Sequence, residues 1–251
     1  MSPVSDRNWG TDTLETVHAM SLIRTKFAVE YPDSDGDPMG ESDWHIDWTI
    51  RLRDLLKWRY RDRQVYVGSD LIIYYQEGEP LRSIVPDGFV VLGHSPHLRR
   101  IFKTWDEDNR VPDVAFEFTS LSSKIKDTVQ KPEIYASIGV TEYFIYDCER
   151  EYLNPPLQGF RLDGDHYEAI ERDADSAFQC QTLGLKLRIE GDKLAIYDSV
   201  TGKQLLTEAE AEAERAEAEA GRAEAEAGLR KRVEAENDQL RAELRRLRGE
   251  S

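Results

Sequence analysis

Cysteine is nearly missing from this sequence. Only Cys148 and Cys180 occur, they form no Cys-x-x-Cys pair, and neither joins a Cys/His cluster. That pattern argues against a structural zinc site, and a chain of this size needs no lone disulfide. Long apolar runs are missing as well. No early apolar segment resembles a secretion signal, and no stretch reaches the roughly 18 apolar residues of a membrane span. The expectation is a cytoplasmic protein without membrane contact. Positive charge is the third deficit: 33 Lys and Arg stand against 49 Asp and Glu, a net charge of −16. A protein that coats nucleic acid through a general basic surface is thereby disfavoured, since that affinity comes from cations neutralising phosphates. A nuclease with local basic residues and a metal-bridged site remains compatible.

What is present suits one globular domain with an appendage. The sequence is 39% hydrophobic, with five Trp and eleven Tyr. We divide it into a body, 11–206, and a tail, 207–251. The body centres on residues 111–147, VPDVAFEFTSLSSKIKDTVQKPEIYASIGVTEYFIYD. An apolar, β-branched strand over 111–119 stops at the Ser/Lys-rich loop SLSSKIK. A short helix over 127–138 ends at Gly139, and 140–146 is a second strand. Strand, helix and strand in so few residues make a βαβ crossover with parallel strands. Glu117 breaks the pattern. It sits between Phe116 and Phe118, where a carboxylate must be bonded, paired or bound to a cation.

A second acid, Asp87, lies near the start of a strand over 83–92. Pro-Asp occurs there and again at Pro112-Asp113, so distance must decide which aspartate partners Glu117. Asp113 and Glu117 are separated by about 13 Å at roughly 3.3 Å per residue. Ligands of one Mg²⁺ must each come within about 2.1 Å of it. Asp87, on a neighbouring strand about 4.8 Å away, is the better partner. Lys131 completes the set, sharing one helix face with Asp127 and Tyr135 at i, i+4 and i+8. Two acids and a lysine are the minimal equipment for metal-dependent phosphodiester hydrolysis: the acids hold the ion, and the lysine offsets developing charge.

The segments VPDVAFEFTS, KDTVQKPEIYASIGVTEYFIYD and LQGFRL resemble the bacterial Uma family of restriction-type endonucleases, which has the PD-(D/E)XK nuclease fold. The resemblance covers roughly 11–206. It implies a restriction-endonuclease-like α/β fold, a mixed sheet flanked by helices, with Mg²⁺ (or Mn²⁺) as cofactor and DNA as partner. The nuclease motif places a lysine two residues after Glu117, but Thr119 stands there. The resemblance therefore implies a lysine from the following helix, matched by Lys131, with Lys124 and Lys126 as rivals. The family's first helix often adds a polar residue to the site, and His45 matches that position. The plainer reading of His45 is a solvent-facing first-turn residue.

The remaining segments frame this centre. A helix is expected over 11–30, and another from Ser42 or Asp43 to Arg61 with Trp44, Trp48, Leu52 and Leu55 as its packing stripe. Arg51, Arg53, Lys57, Arg59, Arg61 and Arg63 make it the most basic stretch, either a solvated face or a contact to nucleic-acid backbone. A strand is expected over 65–75, an irregular connection over 94–110, and hairpins around Asp163-Gly164-Asp165 and Gly191-Asp192. From Glu208 the sequence turns into a low-complexity helix former. Ala209, Ala213, Ala216, Ala220, Ala223 and Ala227 recur at 4-3 spacing, and Val233, Asn237, Leu240, Leu244 and Leu247 do so one phase later. That seam suits a parallel coiled-coil homodimer, against a lone fraying helix. Two functions compete: a Mg²⁺-dependent endonuclease using Asp87, Glu117 and Lys131, with His45 as a further candidate, and an inactive nuclease-fold scaffold assembling through its tail. A third reading keeps Glu117 as a buried acid paired with Lys131 or an Arg, without metal.

Overall fold

The computed structural model describes residues 29–33, 42–120 and 123–248. The helix expected over 11–30 lies outside them except for Val29 and Glu30, which are not helical. Helix α1 (Asp43–Tyr60) starts at its expected cap, where Ser42 Oγ accepts the His45 N–H at 3.3 Å. Trp48, Leu52, Leu55 and Leu56 are buried at helical spacing. Trp44, expected in that stripe, is 60% exposed. His45 takes the inward position of the first turn instead.

The strands in chain order are β1 (Val65–Gly68), β2 (Ile73–Tyr74), β3 (Ser83–Ile84), β4 (Gly88–Leu92), β5 (Phe102–Lys103) and β6 (Val114–Thr119). Then come β7 (Glu142–Asp147), β8 (Leu157–Asp163), β9 (His166–Ala169), β10 (Phe178–Cys180), β11 (Leu185–Glu190) and β12 (Lys193–Asp198). The main mixed sheet has the order β1-β4-β6-β7-β8-β9, with β6 and β7 parallel and the other pairs antiparallel. Strands β3-β2-β5 and β10-β11-β12 form two smaller sheets. The hairpins expected at 163–165 and 191–192 are β8–β9 and β11–β12.

Two expected strands are each broken in two. The run over 65–75 is interrupted near Asp70, whose φ is +47°. The run over 83–92 is interrupted by Val85-Pro86-Asp87, because Pro86 has no N–H for a ladder and the Asp87 N–H turns to a side chain of β6. The two breaks touch, through Asp70 N–H donating to the Pro86 carbonyl at 3.2 Å.

Alternation on β6 divides the core. Val114, Phe116 and Phe118 face α1, in a cluster with Trp48, Leu52, Phe144, Tyr146 and the β10–β12 sheet. Ala115 faces the other side, in a cluster with Tyr135, Tyr143 and Ile145, and Glu117 shares that face. The helix after β6 begins earlier than expected. It is helical from Lys124, passes through a π turn (Lys126–Gln130) and continues as α2 (Lys131–Ile138). The wide turn accommodates Pro132. Lys131 N–H reaches back to the Lys126 carbonyl, and the Asp127 carbonyl accepts the Tyr143 hydroxyl at 2.5 Å. Gly139, at φ +86°, closes α2.

Helix α3 (Glu208–Arg248) runs 41 residues with none buried. A capping box starts it, with Thr207 N–H donating to Glu210 at 2.9 Å and Glu210 N–H to Thr207 at 3.3 Å. No helix among the described residues is long and apolar enough to cross a membrane.

The seat of α1 on the sheet depends on Gly88, where an added Cβ would lie 2.8 Å from Leu52 Cδ2. Gly88→Ala should therefore cost about 1–3 kcal/mol by overpacking. Chemical denaturation checks it; an unchanged midpoint would show that α1 packs elsewhere.

Candidate active site

Four parts of the chain deliver polar side chains to one buried point beside the C-terminal end of β6. Glu117 is 1% exposed. Its Oε2 accepts from Lys131 Nζ at 2.6 Å and from the Asp87 N–H at 3.3 Å. Its Oε1 accepts from the Tyr135 hydroxyl. Lys131 Nζ also lies 3.0 Å from Asp127 Oδ1. Asp87 Oδ2 accepts from the Phe118 N–H at 2.6 Å and lies 3.0 Å from His45 Nε2. Glu117 thus accepts from the Asp87 backbone and Asp87 from the backbone of Phe118, the residue after Glu117, and the break in the 83–92 strand makes this possible.

All four sequence candidates meet here: Asp87, Glu117, Lys131 and His45. Asp113 does not, since it caps the opposite end of β6, where Oδ2 accepts the Leu92 N–H at 2.7 Å. Lys124 and Lys126 sit on the exposed side of the helix. Two members had no assigned role in the sequence reading, Asp127 and Tyr135. Their signal was the i, i+4, i+8 spacing with Lys131, and the π turn keeps that face pointed at Glu117.

Charge is unbalanced in this cluster. Three buried carboxylates, Asp87, Glu117 and Asp127, surround one ammonium. Burial pushes the Glu117 carboxyl well above its ordinary range; Lys131 opposes this, while Asp87 and Asp127 add to it. Burial also acts on Asp87, but Lys131, His45 and the Phe118 N–H outweigh it and hold that carboxyl below the usual range. Burial alone would lower the Lys131 ammonium. Glu117, Asp87 and Asp127 reverse this and raise it. Burial and the neighbouring Glu117 raise the Tyr135 hydroxyl far above its ordinary value, so it stays a donor.

The donor set fits a divalent cation. The acids outnumber the ammonium, and Asp127 Oδ2 is buried without a hydrogen-bond partner among the described residues. Thr119 Oγ1, on the Glu117 face by alternation, is in the same condition. Hard oxygen ligands in an under-neutralised pocket match Mg²⁺ or Mn²⁺ better than softer ions.

The Glu117 shift has a stability consequence. A carboxyl raised on folding binds protons in the folded state that the unfolded chain has released. Its stabilisation is complete below the unfolded value of about 4.3 and is lost as pH rises through the folded value. Without divalent cation, the slope should approach about −1.4 kcal/mol per pH unit in that window. Thermal melts in chelator should show the parent losing ground to Glu117→Gln as pH is raised from 5 to 8. A constant gap would place Glu117 outside this electrostatic trap.

Residues 14–190 match the model of the Uma2 family, described as "Putative restriction endonuclease". No curated protein matches the chain. Among solved structures, a "putative nuclease belonging to DUF820" from Anabaena variabilis ATCC 29413 shares 15% identity, covering 58% of this chain and 82% of its own, with a TM-score of 0.41. The family match spans well over half of the chain and includes every member of the buried cluster, so this protein belongs to the Uma2 family of restriction-endonuclease-like nucleases.

Proposed function

We propose that the chain is a divalent-cation-dependent endonuclease that hydrolyses phosphodiester bonds of DNA. Asp87 and Glu117 hold Mg²⁺ or Mn²⁺, Lys131 stands beside the reacting phosphate, and His45 fixes Asp87. A bound cation would polarise the phosphate and lower the pKa of a water. The chain's residues prepare the rest. Phe118 N–H and His45 aim the Asp87 carboxylate, and Tyr135 aims that of Glu117. Lys131 is held protonated by three acids, so its role is a fixed positive charge that offsets charge developing on the phosphate. General-base chemistry at its Nζ is the wrong assignment for an ammonium raised in this way.

The observation that carries this reading is the surplus of buried carboxylate around one ammonium. A scaffold without chemistry would leave that surplus without a task, and buried ion pairs are poor sources of stability. A PD-(D/E)XK site whose strand lysine has moved to the following helix accounts for both Thr119 and Lys131. Residues 11–206 are then the catalytic unit. The tail, 207–251, assembles two copies through Val233, Asn237, Leu240, Leu244 and Leu247, whose apolar members are exposed in the single chain.

Lys131→Ala should reduce nicking of supercoiled plasmid by roughly two orders of magnitude or more while Mg²⁺ binding by calorimetry persists. Glu117→Ala should lose both. A Lys131→Ala protein that nicks at the parental rate sinks the lysine assignment. Truncation at Thr207 should leave the unfolding transition of the body intact and convert a dimer to a monomer in sedimentation. Loss of folding would show that α3 belongs to the body.

A further inference from the structure

The basic run on α1 is divided between two helix faces. Arg51 and Arg59 turn toward acids of the body and tail: Arg51 pairs with Glu210 at 2.8 Å and Arg59 with Asp198 at 2.5 Å. Arg53, Lys57 and Arg61, spaced i, i+4 and i+8, turn the other way. They line one wall of an open groove of about 370 Å³, whose floor is β1 and whose far wall is Pro96, Leu98 and Arg99. Among the described lining residues there are four cations and no acid, in a chain with a net charge of −16. Arg99 is anchored, bonded to Glu107 at 2.6 Å and stacked 4.2 Å over the Tyr66 ring. Arg61 stacks 4.1 Å over Trp58. Lys57 is a half-buried ammonium lowered by burial and by Arg53, with Asp54 offsetting part of this.

The groove leads toward the buried acids. Gly68 and Ser69 are among its lining residues, Gly68 pairs across the sheet with Phe89, and the adjoining Asp70 N–H holds the Pro86 carbonyl beside Asp87. The same α1 that supplies Arg53 and Lys57, with Arg61 at its C-terminal cap, delivers His45 to Asp87 from its first turn. Cations gathered along the groove walls, only partly offset by Asp54, Asp62 and Glu107 outside the lining, match a ligand carrying regularly spaced single negative charges.

We propose that this groove is the track for the phosphodiester backbone of the DNA duplex, with Arg53, Lys57 and Arg61 contacting successive phosphates on one side of the cleavage point. The proposal rests on the nuclease reading and adds where and through which residues the substrate lies. A solvated helix face would make these three side chains interchangeable with any other surface cations, and that is the alternative the test must exclude.

The test is fluorescence anisotropy of a labelled 30-base-pair duplex over a salt series, with Ca²⁺ in place of Mg²⁺, alongside plasmid nicking in Mg²⁺. Arg53→Glu/Lys57→Glu should weaken binding at least about tenfold and reduce the salt slope by about two, the loss of two phosphate contacts. Lys193→Glu/Lys203→Glu, exposed charges elsewhere with the same change in net charge, should move neither. If the reversal variant melts early, Arg53→Gln/Lys57→Gln must show the same direction of change. Unchanged binding in the groove variants, with a parent that cuts, overturns the groove and leaves the nuclease reading standing. Equal weakening in the Lys193/Lys203 control also overturns it. A parent that binds through the groove without cutting supports the groove and removes the nuclease reading. A parent that neither binds nor cuts removes both.

Discussion

The ion pair between Lys131 and Glu117 organises the centre of this protein. A carboxylate on a central strand between two phenylalanines is tolerable only if its charge is met. Lys131 meets it at 2.6 Å. To arrive there, the helix after β6 must widen into a π turn, stop donating where Pro132 lies, and lend the Asp127 carbonyl to Tyr143. The same turn brings in Asp127, whose own charge restores the deficit that Lys131 had relieved. Each step that places the lysine also adds an acid. The cluster is therefore short of positive charge by construction, and a divalent cation is the natural completion.

The second organising feature is α1, which serves three surfaces at once. Its apolar stripe covers one face of the main sheet, and its first turn carries His45 to Asp87. Its basic residues divide between internal ion pairs and the groove beside β1. On the proposed reading, this division reconciles a strongly acidic chain with a polyanionic substrate. The excess acid is spread over the tail and outer surface, while the cations that matter are gathered on one helix. Local field, rather than net charge, governs approach to a site of this kind.

Much of the centre was legible in the sequence, because its signals were violations of pattern. Glu117 stood out in an apolar strand, Asp87 lay on a strand that could neighbour it, and Lys131 shared a helix face with Asp127 and Tyr135. Parallel pairing of β6 with β7 followed from the short crossover. What was not legible was set by tertiary contact. Nothing in residues 65–75 or 83–92 signals that each run breaks so that the two breaks can bond each other. Trp44 had the right spacing for the core, yet His45 was drawn inward by Asp87. The helix begins earlier than expected, at Lys124, because a π turn lets it run through to Pro132 without the α-helical conflict that proline would bring. The division of the α1 arginines depended on partners such as Asp198 and Glu210, more than a hundred residues away.

The central claim is that a divalent cation takes the place of a proton held by the buried acids. Calorimetric titration of Mg²⁺ in two buffers of different ionisation enthalpy counts that proton directly. The account predicts proton release on binding that diminishes as pH is raised and disappears in Glu117→Gln. Binding without proton release at any pH, or release that survives in Glu117→Gln, would contradict it.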